Sequence, residues 1–395
     1  MQLGAITPAF IEALQKVVGP AGAQLHEPII DCDDYEHVMR CLSSTYVSSI
    51  GPYVTKFENA LAELTGAKYV VAVVNGTSAL HTALLISGVS SGDEVLVPAL
   101  SFVATANAVA YCGGIPHFID VTECTLGVCV KGLEKYLKSE FQVRMGQCYN
   151  RRSGRVVRAL VPMHTFGHPV DIEPLIQLSK EYCLQVIEDA AEGLGTLYSG
   201  KHVGTYGQVG VLSFNGNKII TTGGGGAILT NDKDLADRAK HLTTTGKVPS
   251  TIGFEHDCVA YNYRMPNLNA ALGYSQLLKL SDFIDRKRKL YLLYRDAFSG
   301  VPAMRLFSEP KNARSNYWLQ TILLDSPIRH IKNQLIEASN SLNINVRPAW
   351  RLLNQLPMYK NSPSAPLTIS ESLFERIISL PSGPALVSPP SLRAL

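Results

Sequence analysis

The sequence predicts an α/β protein: a mostly parallel central sheet covered by helices, followed by a smaller α+β C-terminal domain. Three observations carry this. Between residues 69 and 230, strand-length apolar runs alternate with segments that are apolar on one helical face, the pattern of a sheet buried on both sides. A long helix-like stretch, Leu268 to Phe298, then leads into a second, shorter set of strands and helices. The chain has 395 residues, 46% of them hydrophobic and 17% charged, enough to bury a large core.

Taken in order, a mixed N-terminal segment containing Pro28 precedes a helix from Asp34 to Leu42. A turn-rich loop, Ser43 to Pro52, leads to a helix from Val54 to Thr65 that stops at Gly66. Tyr69 to Val74 is an unbroken apolar strand. Ser78 to Ile86 places Ala79, Leu80, Ala83 and Leu84 on one helical face. There follow a strand from Glu94 to Ala99, a helix from Ala104 to Cys112, a strand from Pro116 to Val121 and a helix from Lys131 to Ser139. Val156 to Met163 is a strand, Ile172 to Tyr182 a helix and Leu184 to Glu188 a strand. Val209 to Phe214 and Ala227 to Thr230 are two more strands. The long stretch from Leu268 is expected to break once and to bridge to strand Trp318–Leu324, helix Ile328–Ser341, strand Asn345–Arg347 and helix Glu371–Ile378. The Pro- and Ser-rich tail beyond Pro381 reads as irregular. The expected division is residues 1–260 for the N-terminal segment and large domain, and 261–395 for the long helix and small domain.

The net charge of +3 gives no electrostatic case for nucleic acid or an acidic membrane surface. Arg286-Lys287-Arg288-Lys289 is the densest basic run and reads as a solvated helix face. Eight cysteines are present without a metal-type Cys-x-x-Cys pair, so free thiols in a reducing cytoplasm are expected and no metal is. The N-terminus lacks the pattern of a signal peptide, and no apolar run reaches the ~18 residues of a membrane span.

The chemistry concentrates at the ends of strands. Lys218 follows the apolar run into Leu212-Ser213-Phe214-Asn215-Gly216-Asn217 and precedes Ile219-Ile220-Thr221-Thr222 and the glycines 223 to 226. A lysine desolvated beside such a loop loses its proton more easily and can bond to an aldehyde cofactor. Asp189, in Val186-Ile187-Glu188-Asp189-Ala190-Ala191, falls where α/β sheets place ligand-contacting groups, and a carboxylate there can keep a pyridine nitrogen protonated. The pair looks like a pyridoxal 5'-phosphate (PLP) site. A helix cap at Asp189, with Glu192 completing a capping box, is the alternative. Asn75-Gly76-Thr77-Ser78 sits between a strand and a helix, where glycine and free amides can hold phosphate; an ordinary cap by Thr77 or Ser78 is equally open. Phe102 could stack on the cofactor ring or lie in the core. Ser213 could reach the same phosphate or be buried by strand alternation.

Together these segments resemble the DegT/DnrJ/EryC1/StrS sugar aminotransferases, which are fold-type-I PLP enzymes. The resemblance runs from about Leu25 to Leu380. It rests above all on Asn75 to Leu80, Glu188 to Glu192, Ser213 to Lys218, and Tyr261-Asn262-Tyr263-Arg264-Met265. Leu25-His26-Glu27-Pro28, Val47-Ser48-Ser49-Ile50-Gly51, the 219–226 segment and Arg347-Pro348-Ala349-Trp350 resemble the LegC-type branch. That branch makes 4-amino-4,6-dideoxy-N-acetylhexosamine nucleotides for legionaminic acid or bacillosamine. The resemblance implies that Lys218 bonds covalently to PLP, Asp189 pairs with the pyridine nitrogen, Phe102 stacks on the ring, and Glu192 sits near the ring hydroxyl. It implies that Gly76, Thr77, Ser78 and Ser213 hold the phosphate, joined by Asn262 from a second subunit, so that a homodimer shares its sites. Substrates would be L-glutamate and a UDP-linked 4-keto-6-deoxy-N-acetylglucosamine, or a GDP-linked 4-keto sugar. Sugar-contact candidates are Tyr46, Ser48, His164, Arg264, Arg347 and Trp350; His164 also reads as a structural histidine, and both arginines as internal ion pairs. Gly224, Tyr46 and Asn354 depart from the wider family's acidic residue, tryptophan and histidine. A PLP-dependent dehydratase is disfavoured because its relatives carry histidine at the lysine position. A regulatory member that lost the chemistry is disfavoured by Lys218 and Asp189 together. A nicotinamide dehydrogenase is disfavoured by the absence of Gly-x-Gly-x-x-Gly after a first strand.

Overall fold

The computed structural model describes residues 6–248, 250, 253–327 and 329–387. Its centre is a nine-stranded sheet. Across it run Tyr69–Val73, Gly226–Thr230, Val209–Ser213, Gln185–Asp189, Val156–Leu160, Glu94–Pro98 and Ile115–Ile119. Gly226–Thr230 is antiparallel to both neighbours. The other ladders in that row are parallel, so the mostly parallel expectation holds. A hairpin, Phe141–Arg144 with Gln147–Asn150, joins the sheet through Val156–Leu160; the sequence reading does not assign it.

Strand alternation explains why the sheet must be covered twice. Ala72, Leu96, Leu160, Val186, Leu212 and Leu229 enter one buried cluster, with Phe57 and Leu61 of helix Pro52–Thr65 and Ala270 and Ala271 of helix Asn267–Leu278. Their alternates Val71, Val97, Ala159, Ile187, Val211 and Ile228 enter another, with Leu80, Ala83 and Leu84 of helix Gly76–Ile86.

The long helical stretch breaks once, as expected, into Asn267–Leu278 and Leu280–Phe298. At the break, the Lys279 N–H bonds back to Gln276, and its Nζ meets Asp31 at 2.7 Å and Asp34 at 2.6 Å. Those carboxylates cap helix Cys32–Ser43, so the lysine that ends one helix secures the start of another. A four-stranded antiparallel sheet lies beyond it, Met304–Leu306, Gln320–Leu324, Ile377–Leu380 and Arg347–Pro348. Here the expected helix Glu371–Ile378 is corrected. The helix is Thr368–Arg376, and Ile377-Ile378-Ser379-Leu380 pairs with the central strand Gln320–Leu324. The strand placed at Asn345–Arg347 is Arg347–Pro348. Ile328, the first residue expected in helix Arg329–Ser341, and the tail from residue 388 lie outside the described residues.

Two helices are additional to the expected ones. Lys233–Thr243 is capped by the Asp232 carboxylate. Ile6–Val18 buries Phe10 and Leu14 with Leu290, Tyr294 and the smaller sheet, although the sequence reading groups that segment with the larger one. Among the described residues no helix is long and apolar enough to cross a membrane.

Candidate active site

A cavity of about 350 Å³ opens at the carboxyl ends of the central strands, lined by Asn75, Gly76, Thr77, Phe102, Met163, Asp189, Glu192, Ser213, Asn217, Lys218, Trp318 and Trp350, among others. It gathers Gly76, Thr77, Phe102, Asp189, Glu192, Ser213, Lys218 and Trp350 of the predicted site.

Asp189 is the last residue of Gln185–Asp189, and its backbone is locked by the Pro162 carbonyl and the His164 N–H. Its Oδ2 accepts from the Thr105 hydroxyl at 2.7 Å and its Oδ1 from the Ala191 N–H at 3.2 Å. No helix starts here, so the capping-box alternative falls. Burial raises the Asp189 acid above its ordinary value, outweighing Thr105, Ala191 and Lys218, which pull it down. Its oxygens are met by a hydroxyl and an amide rather than by a cation, which leaves it able to take one from a ligand.

Lys218 leaves the loop after strand Val209–Ser213 and lines the same cavity. Its Nζ stands 3.3 Å from Glu192 Oε1 and 4.2 Å from the centroid of the Trp318 ring. Burial pushes Glu192 up to about 7, against the pull of Lys218 and of the Phe166 N–H that donates to its Oε2 at 2.8 Å. Glu192 therefore changes charge near neutrality while touching the lysine.

The phosphate-type end is built at the start of helix Gly76–Ile86. Asn75, not Thr77 or Ser78, is the cap; its Oδ1 accepts from the Ser78 N–H at 2.7 Å. Gly76 and Thr77 open onto the cavity with first-turn amides that have no partner inside the helix. A Cβ at Gly76 would come within 2.9 Å of the Ser213 Cβ and 3.0 Å of its Oγ, so glycine leaves the room between helix start and strand end. A helix start with free amides and room beside them suits an anionic group. Ser78 is buried behind it and does not line the cavity. Phe102, expected either on the ring or in the core, is 47% exposed and meets Trp350 edge-on at 6.1 Å.

The remaining candidates scatter. Of the two readings of His164, its surroundings match the structural histidine and not the sugar contact. It is fully buried, with Nε2 3.0 Å from Glu188 and Nδ1 accepting from the Val170 N–H. Arg347 is exposed and donates to the Val346 carbonyl. Tyr46 and Ser48 lie on an exposed loop whose carbonyls accept from Asn267. Arg264 lines a separate cavity with Lys240 and Lys247. Asn262 is exposed and does not line the cavity of its own chain. Sequence reasoning missed Thr105 and Trp318. Thr105 has no pattern beyond sitting three residues after Phe102, and Trp318 opens an apolar run that reads as core.

An α/β sheet ending in a buried carboxylate, a shielded lysine and a helix start suited to an anion defines a PLP-dependent transferase of the aminotransferase class. The chain belongs to the DegT/DnrJ/EryC1/StrS aminotransferase family, whose model matches residues 28–390. It is 37% identical to the GDP-perosamine synthase of Escherichia coli O157:H7 over 92% of this chain and 93% of that one. Among solved structures, a family aminotransferase from Brucella abortus matches with a TM-score of 0.80 and 28% identity, covering 89% of this chain and 90% of that one. Helicobacter pylori PseC, an aminotransferase of pseudoaminic acid biosynthesis, matches with a TM-score of 0.82 and 27% identity, covering 91% and 93%. The protein is thus a PLP-dependent sugar aminotransferase.

Proposed function

We propose that this enzyme moves the amino group of L-glutamate to the 4-keto carbon of a nucleotide-linked 4-keto-6-deoxy sugar, giving a 4-amino-4,6-dideoxy sugar for a surface glycan or nonulosonic acid. The observation that carries the reading is that one cavity is lined by both Lys218 and Asp189 and also by Gly76 and Thr77 at the start of a helix. When bound, PLP supplies an electron sink for the carbanion formed at the amino-bearing carbon. Lys218 anchors it and, once released, carries the proton to and from that carbon at its Nζ. Asp189 holds the ring nitrogen protonated; a cationic ring gives this buried carboxylate the opposite charge it lacks and returns it to its ionised form. Glu192 takes or returns a proton beside Nζ in the range where it titrates. Gly76, Thr77 and Ser213 receive the phosphate, and Phe102 covers the ring.

The exposure of Asn262 outside its own cavity supports its service to a partner's site, and hence a homodimer. Eight free thiols support a reducing cytoplasm. The primary nucleotide reading is UDP with an N-acetylated sugar, from the LegC-type segments. A GDP-linked sugar is the second reading, favoured by the 37% identity to a GDP-perosamine synthase.

The test is mass-spectrometric assay of both keto-sugar nucleotides with glutamate. Lys218→Ala is expected to abolish transamination while still binding free PLP. A Lys218→Ala enzyme that turns over normally, or a wild type inactive on both nucleotides, would sink the reading.

A further inference from the structure

We propose that Trp318 is a positioning residue whose indole face holds the Lys218 amine at the cavity wall whenever that amine is free. The inference rests on Lys218 as the cofactor's anchor.

The geometry is specific at one face of the ring and at its N–H edge. The Lys218 Nζ lies 4.2 Å from the ring centroid, and its side chain is 13% exposed, a shielded setting in which a cation–π contact is strongest. The indole N–H donates to the Asn217 carbonyl at 2.8 Å, so the ring is tied to the residue next to the lysine it supports. The backbone is fixed as firmly. The Trp318 N–H donates to Asn316 Oδ1 at 2.8 Å, and the Asn316 Nδ2 donates to the Glu192 and Leu194 carbonyls at 2.8 and 2.9 Å. One asparagine thus sets the distance between the indole and the carboxylate that flank the amine. The Trp318 carbonyl accepts from Lys287 Nζ at 3.0 Å.

A tryptophan that only filled space would need neither the bond to the lysine loop nor a face turned to the ammonium. The need is physical. A lysine released from its covalent link has four flexible carbons and many rotamers. Glu192, held near 7, is ionised for only part of the time at neutral pH. A π face does not titrate, so it steadies the amine whichever state Glu192 is in.

The experiment compares wild type, Trp318→Met, Trp318→Phe and Lys218→Ala. In the apoproteins, the rate at which PLP becomes bonded at residue 218 is measured by borohydride trapping and peptide mapping. In the holoenzymes, kcat and KM are followed against pH. Trp318→Met is expected to slow trapping and kcat by about tenfold while KM for the sugar nucleotide stays within about threefold, and Trp318→Phe to recover most of the loss. The kcat profile of Trp318→Met should steepen between about pH 6 and 8, where Glu192 alone would hold the amine. The proposal is overturned if Met and Phe both trap at the wild-type rate, or if both lose equally with unchanged pH profiles. Should the Met variant not fold, Trp318→Leu takes its place beside Trp318→Phe with the same expected and overturning results. PLP trapped undiminished in Lys218→Ala would instead defeat the anchor assignment itself.

Discussion

At the scale of single residues, the chemistry depends on how burial sets the charge of two carboxylates. Asp189 is pushed toward its neutral form by burial, and the Thr105 hydroxyl is the first influence opposing it. Removing that hydroxyl with Thr105→Val should favour the neutral acid further and loosen the hold on a cationic ring. We expect PLP affinity to fall about tenfold, in the range of a lost hydrogen bond to a charged group, by fluorescence-free equilibrium dialysis of the cofactor. An unchanged affinity would show that Thr105 does not tune the acid. Lys218 and Asp189 were legible in the sequence because each is a chemically unusual residue at a strand end beside small residues. Thr105 and Trp318 were not, because their roles depend on contacts across 84 positions in one case and 100 in the other. His164 keeps two readings in sequence for a related reason: a histidine after a strand looks the same whether it faces a cavity or a buried Glu188.

At the scale of elements, turns hold the site's parts in register. Gly167 has φ +90°, and a Cβ there would lie 1.9 Å from Asn316 Oδ1 and 2.9 Å from the Trp318 nitrogen. Gly167→Ala should therefore both strain the backbone and push Asn316 out of place. We expect a destabilisation of at least about 2 kcal/mol, seen as a lower denaturation midpoint, and a loss of kcat larger than the loss of structure by circular dichroism. A variant as stable and active as the parent would refute the link. Apolar strands between helices were readable because burial on both faces leaves little room for polar residues. The segment 371–380 was not, because Ile377-Ile378-Ser379-Leu380, three apolar residues and a serine after a helix, fit either a last turn or a strand; pairing with Gln320–Leu324 decides it. The first helix escaped notice because its partners, Leu290 and Tyr294, lie nearly three hundred residues downstream.

At the scale of the whole molecule, buried histidines make the fold sensitive to acid. Burial lowers His168 to about 3 and His202 to about 4, and holds His26 well below its ordinary value, with Lys287 and Lys218 adding to the effect. Below about pH 6.5 the unfolded chain takes up protons that the folded one refuses, so stability falls as pH falls through that range toward 4. His168 is packed edge-on to Phe307 at 4.8 Å and Tyr317 at 5.2 Å, with no partner at either ring nitrogen among the described residues. His168→Phe should keep that packing and flatten the fall in melting temperature between pH 7 and 5, measured calorimetrically; an equally steep fall would exclude His168 as a cause. The chain has two tryptophans, and both line the one cavity. Ultraviolet emission from the indoles is therefore a private optical gauge of that chamber, reporting what enters and leaves it without any label.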